Sequence, residues 1–130
     1  MSNKKRNNRE LKDLKAELKE LKFEKEFCQV MINTLSQREE TINSKLSKLY
    51  NDKETLRQEI ESTSSALTYY KGKAKLEAKV TEYKETTKDL KNTITRRKKY
   101  EHQLESIENT IFTVKEAIEE KKGSREASKE

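Results

Sequence analysis

Cysteine and histidine each occur once, as Cys28 and His102. A closed zinc site asks for four ligands of these types, so this pair cannot build one. A single cysteine also rules out an intrachain disulfide framework. His102 stands between Glu101 and Gln103 in a strongly hydrated stretch, and the carboxylates near it read as helix-surface charges. No glycine-rich phosphate loop is present, and catalysis needs a concave, partly dry pocket with preorganised groups. The expectation is a chain that is not an enzyme, with no catalytic residue, metal, cofactor or small-molecule substrate.

The cations are more suggestive. Lys4, Lys5, Arg6 and Arg9 lie in NKKRNNR, and Arg96, Arg97, Lys98 and Lys99 form RRKK beside Tyr100. Short basic runs serve as nuclear-localisation signals or as phosphate-binding patches. With a sequence pI of about 9.3, they raise an expectation of binding to RNA, a ribonucleoprotein or another nucleic-acid surface. Four adjacent cations on a helix point in nearly all directions, so RRKK forms no flat docking face. Zinc-finger spacing, the aromatic RNP motif and the GXXG loop are all missing. The hydroxyls at 62–65 would accept phosphate, and added charge there would change the local structure.

These residues must be held by something, and composition says what kind of element. Of 130 residues, 42% are charged and 30% apolar, there is no proline, and glycine occurs only at Gly72 and Gly123. A globular domain carries roughly 45–50% apolar residues, and its turns draw on glycine and proline. Disorder competes for so charged a chain, but the apolar residues are too regularly placed. The net charge of +6 is concentrated locally: residues 1–10 carry +3, whereas residues 11–61 carry −1. No apolar run approaches the roughly 20 residues that span a bilayer, and no h-region follows the basic N-terminus. A cytoplasmic or nuclear protein without membrane association is expected.

From Leu11 the apolar residues alternate at spacings of three and four. With Leu11 at position a, the a series is Leu11, Leu18, Lys25, Ile32, Glu39, Leu46, Lys53, Ile60 and Leu67. The d series is Leu14, Leu21, Cys28, Leu35, Ile42, Leu49, Leu56, Thr63 and Tyr70. Nine heptads of this kind predict a coiled coil. In a parallel pair, g and e positions would set Glu10 against Lys15, Glu17 against Lys22 and Asp52 against Arg57, all attractive. The apolar a and d residues are therefore expected to form a self-association seam in a parallel dimer. Lys25, Glu39 and Lys53 interrupt it at a positions. Such residues tune register and oligomer number, or await a partner with the opposite charges.

Regularity fails in STSSALTYYKGK, residues 62–73, which gathers small and low-propensity residues before Gly72. The apolar series then resumes in a shifted register at Leu76, Val80, Tyr83, Thr87, Leu90 and Ile94. It shifts again near Arg96 and runs through Tyr100, Leu104, Ile107, Ile111, Val114 and Ile118. Offsets of this kind overwind or break a supercoil. The expected organisation is a basic arm at 1–10, helix at 11–61, a joint or turn at 62–73, helix at 74–122 and a flexible tail at 123–130. The fold class is all-α with long coiled-coil helices. They form either a rod jointed near 62–73 or an antiparallel hairpin. Persistence of the first heptad through Leu67 and Tyr70 favours the rod; near-equal helix lengths favour the hairpin.

A second apolar stripe needs an explanation. Phe23, Phe27, Val30 and Met31 fall at f, c, f and g, on a face turned away from the a/d seam. Exposed phenylalanines one turn apart are seldom left bare. A hairpin turning between 67 and 72 would cover Phe27 with residues from 107–117, including Ile107, Ile111, Phe112 and Val114. Failing that, Phe23, Phe27 and Met31 would receive a helix of another protein. The expected function is a coiled-coil scaffold or adaptor that self-associates and docks helical partner proteins, with RNA association through the basic clusters as the alternative.

Overall fold

A computed structural model of the chain describes residues 10–129, with side chains placed through Gly123. Two helices, α1 (Leu11–Ser62) and α2 (Ala66–Lys129), pack against each other as a hairpin. The jointed rod is thereby corrected. The chain reverses over Thr63, Ser64 and Ser65 alone, and α2 begins eight residues earlier than expected at 74.

The turn is built from hydroxyls. Ser62 Oγ donates to the Gln58 carbonyl at 2.8 Å, drawing the last turn of α1 onto its own side chain. The Ser65 amide donates to Thr63 Oγ1 at 3.2 Å. Ser65 then caps α2, its Oγ accepting from the Thr68 amide at 3.3 Å, the bond that satisfies an orphan donor at a helix start. No described residue adopts a positive φ, so this reversal needs no glycine.

Gly72 does different work. It lies inside α2 and is buried. A Cβ built there would stand 2.9 Å from Ile60 Cγ1, closer than two carbons can pack. Glycine lets the two helices approach just beyond the turn; it does not end a helix. At the far end α2 continues to Lys129, so residues 123–129, expected as a flexible tail, are helical.

The chain divides into two compact units. One joins Met1–Asn33 with Lys98–Glu130; the other is Thr34–Arg97, which contains the turn. In the first unit Leu14, Val114, Ala117 and Ile118 form a buried cluster, with Leu11, Leu18 and Leu21 packed against it. Cys28 and Ile111 are also buried there. In the second unit Leu35, Ile42 and Leu49 from α1 are buried, but α2 answers them with Thr86 and Thr93. Thr93 keeps its hydroxyl satisfied by donating to the Asp89 carbonyl at 2.8 Å, as a buried hydroxyl must.

The inward positions of α2 correct the expected register break near Arg96. Buried or half-buried residues recur at Gly72, Leu76, Lys79, Tyr83, Thr86, Leu90, Thr93, Arg97, Tyr100, Leu104, Ile107, Ile111, Val114 and Ile118. The alternation of four and three is unbroken. Polar residues at four of these places conceal it in the sequence.

Candidate docking face and polar seam

The a and d residues of α1 lie on its inner face. Leu14, Cys28, Leu35, Ile42 and Leu49 are buried, and Leu11, Leu18, Leu21, Ile32, Leu46, Leu56 and Ile60 are half-buried. In this hairpin those side chains meet α2. The exception is Leu67, which continues the heptad arithmetically but begins α2 and is 65% exposed. Tyr70, the next d residue, is 69% exposed. The reversal has turned both outward.

Each charged a residue finds an answering group on α2. Arg97 donates to Glu39 from two nitrogens, Nε to Oε2 and Nη2 to Oε1, the latter at 3.2 Å. Their side chains are 24% and 15% exposed. Lys53 Nζ sits 4.5 Å from the centre of the Tyr83 ring, within range of a cation–π attraction. Lys25 Nζ lies 4.0 Å from Glu108 Oε1. More exposed pairs flank the second unit: Arg38 with Asp89 at 3.1 Å, Lys45 with Glu82 at 3.6 Å and Lys79 with Asp52 at 3.6 Å. Such exposed pairs contribute under about 1 kcal/mol each. Their value lies in register, because a slip along the helix would separate opposite charges and juxtapose like ones.

Arg97 therefore leaves the basic cluster for the seam. Arg96, Lys98 and Lys99 are exposed around the same turns of α2. Lys4, Lys5, Arg6 and Arg9 lie outside the described residues.

The second stripe is not covered by the hairpin. Phe23 is 74% exposed, Phe27 55% and Val30 60%, while Met31 is half-buried. Of the cover expected from 107–117, Ile111 and Val114 are buried in the seam and Phe112 is itself 64% exposed. Phe27 instead meets Tyr100 edge-on, ring centres 6.3 Å apart, beside a shallow recess lined by Glu24, Cys28, Gln103, Ser106 and Ile107. Position 27 meets α2 seven residues before the expected window, at Tyr100, because the reversal centres near Ser64, earlier than 67–72. Phe23 lies in a second recess between Lys19, Glu20, Lys22, Glu24 and Glu26. Tyr100 was legible as a neighbour of the RRKK run and as a member of the apolar series; its place against Phe27 depends on the turn.

Cys28 is buried, with Sγ 4.0 Å from Gln103 Oε1. Among the described residues no three His, Cys, Asp or Glu side chains are placed to hold a metal ion. Among the same residues no helix is long and apolar enough to cross a membrane. No protein-family model matches the chain, and none of the curated proteins or solved structures does either.

Proposed function

We propose that this chain is a non-enzymatic adaptor: an antiparallel coiled-coil hairpin that carries an outward apolar stripe to helical partners, including further copies of itself. One observation carries the reading. Phe23, Phe27 and Val30 sit at i, i+4 and i+7 on an outer face of α1 and stay more than half exposed, which is the anchor pattern of helix-to-helix recognition. Large apolar side chains grouped on a surface mark interaction sites, and aromatic anchors dominate binding energy once buried. The α1 seam supplies rigidity to that stripe, since its own apolar residues are consumed by α2. Action in the cytoplasm or nucleus agrees with this role.

The alternative is association with RNA or a ribonucleoprotein through exposed Arg96, Lys98 and Lys99, with the N-terminal cations added. Its weakness is Arg97, whose guanidinium is engaged by Glu39. A photo-crosslinking residue placed at position 23 separates the two. The adaptor reading expects adducts with protein that survive nuclease and physiological salt and vanish with Phe27→Glu. Adducts with RNA that fade as salt rises would establish the alternative.

A further inference from the structure

The outward stripe on α1 has a counterpart on α2. Leu67, Tyr70, Ala74 and Ala78 occur at i, i+3, i+7 and i+11 and share one face of α2. All four are exposed, whereas Gly72, Leu76 and Lys79 on the opposite face pack inward. The two alanines leave room for a helix backbone to come close, and Leu67 and Tyr70, at 65% and 69% exposure, stand up beside that trough.

Charge distinguishes the two apolar faces. The recess holding Phe23 is rimmed by Glu20, Glu24 and Glu26 against Lys19 and Lys22. The α2 face is flanked by Lys71, Lys73 and Lys75 against a single acid, Glu77 beside Ala78, and no acidic residue occurs from Ser62 to Leu76. Pairing the α1 stripe with itself across a two-fold axis would leave a surplus of glutamate over lysine from both copies. Pairing the α2 face with itself would crowd lysines. Only the cross-combination sets a rim with surplus acid against a rim with surplus base, where charge selects partners and speeds encounter.

We infer that the two faces are donor and acceptor of one head-to-tail contact: the Phe23/Phe27 stripe of one copy docks on the Leu67/Tyr70 face of the next. This rests on the adaptor reading and names a second copy as the occupant. A heterologous contact of this kind leaves one face free on each end of every complex, so association is open-ended rather than closed at a dimer.

Sedimentation equilibrium on the full chain and two variants tests the inference, with circular dichroism confirming helix in each. The stripe variant is Phe23→Asp with Phe27→Asp, or Phe23→Asp alone should the double change lose helix. The tip variant is Lys71→Glu with Lys75→Glu, which spares Lys73, whose Nζ lies 5.5 Å from the centre of the Tyr69 ring. The parent is expected to grow past the mass of a dimer with concentration, and to grow less in high salt. Each variant alone is expected at monomer mass, and an equimolar mixture at dimer mass, because each supplies the face the other lacks. A mixture that stays monomeric overturns the inference, as does a tip or stripe variant that self-associates alone, or a parent that stays monomeric. Those results leave the adaptor reading to the position-23 crosslink, which decides it independently.

Discussion

Glu39 and Arg97, 58 residues apart in sequence, meet face to face between the helices through two charge-assisted hydrogen bonds. In a parallel homodimer Glu39 would have met its own copy at an a position, two carboxylates in one seam. The hairpin supplies a guanidinium there instead. Lys25 and Lys53 are answered in the same way by Glu108 and Tyr83. The polar a residues that weaken a parallel seam thus favour folding back.

That pairing makes a stability prediction. Arg97→Leu leaves Glu39 largely buried without its partner and should cost about 1–3 kcal/mol, the loss expected for a hydrogen bond to a charged group. Adding Glu39→Leu should recover most of the loss, since an apolar pair replaces a buried ion pair at little net cost. Urea denaturation of the two singles and the double closes the cycle. Strictly additive losses would mean that the two side chains do not interact.

Gly72 yields a second test. In an exposed helix, Gly→Ala gains about 1 kcal/mol. Here the new methyl would drive into Ile60, and overpacking costs about 1–3 kcal/mol. Gly72→Ala should therefore lower the melting temperature, and combining it with Ile60→Ala should cost less than the two losses added together. A plain gain from Gly72→Ala would show that the helices are not in close contact beyond the turn.

The stripe should be nearly silent in folding. Phe23→Ser, at a position 74% exposed, should change stability by no more than about 0.5 kcal/mol. Phe27→Ser should cost somewhat more, up to about 1.5 kcal/mol beyond its area, through the lost edge-on contact with Tyr100. A collapse of helix content in Phe23→Ser would place that ring in a core and remove the docking face.

How much of this was written in the sequence differs between the two helices. In α1 the a and d positions from Leu11 to Ile60 are all inward because leucine and isoleucine dominate them, so period and face could be read directly. In α2 the inward places at Lys79, Thr86, Thr93 and Arg97 are polar, and the eye follows Val80, Thr87 and Ile94 one residue away, producing a register break that the helix does not have. The reversal was hidden for a related reason. Leu67 and Tyr70 continue the α1 heptad by number alone, and a turn made of Thr63, Ser64 and Ser65 carries neither glycine nor proline to announce it. The Phe23/Phe27 face was legible as a second stripe; that it stays exposed depends on where the chain turns.

Cys28 offers a check on orientation. In a parallel in-register dimer it would meet its twin and oxidise readily to a cross-linked pair. Buried against Gln103 within one chain, it should resist both mild oxidation to a disulfide dimer and thiol reagents until urea unfolds the helices. Rapid disulfide dimerisation in native buffer would favour a parallel seam.

The central claim is that the inner face of α1 is closed by α2 of the same molecule. A carbodiimide, which joins amine to carboxylate without a spacer, reads this directly when applied to an equimolar mixture of isotopically light and heavy chains. Joined peptides containing Lys45–Glu82 and Lys25–Glu108 should carry matching labels only, light with light and heavy with heavy. Mixed-label forms of these two links in comparable amount would show that the contacts run between molecules, and the hairpin would be wrong.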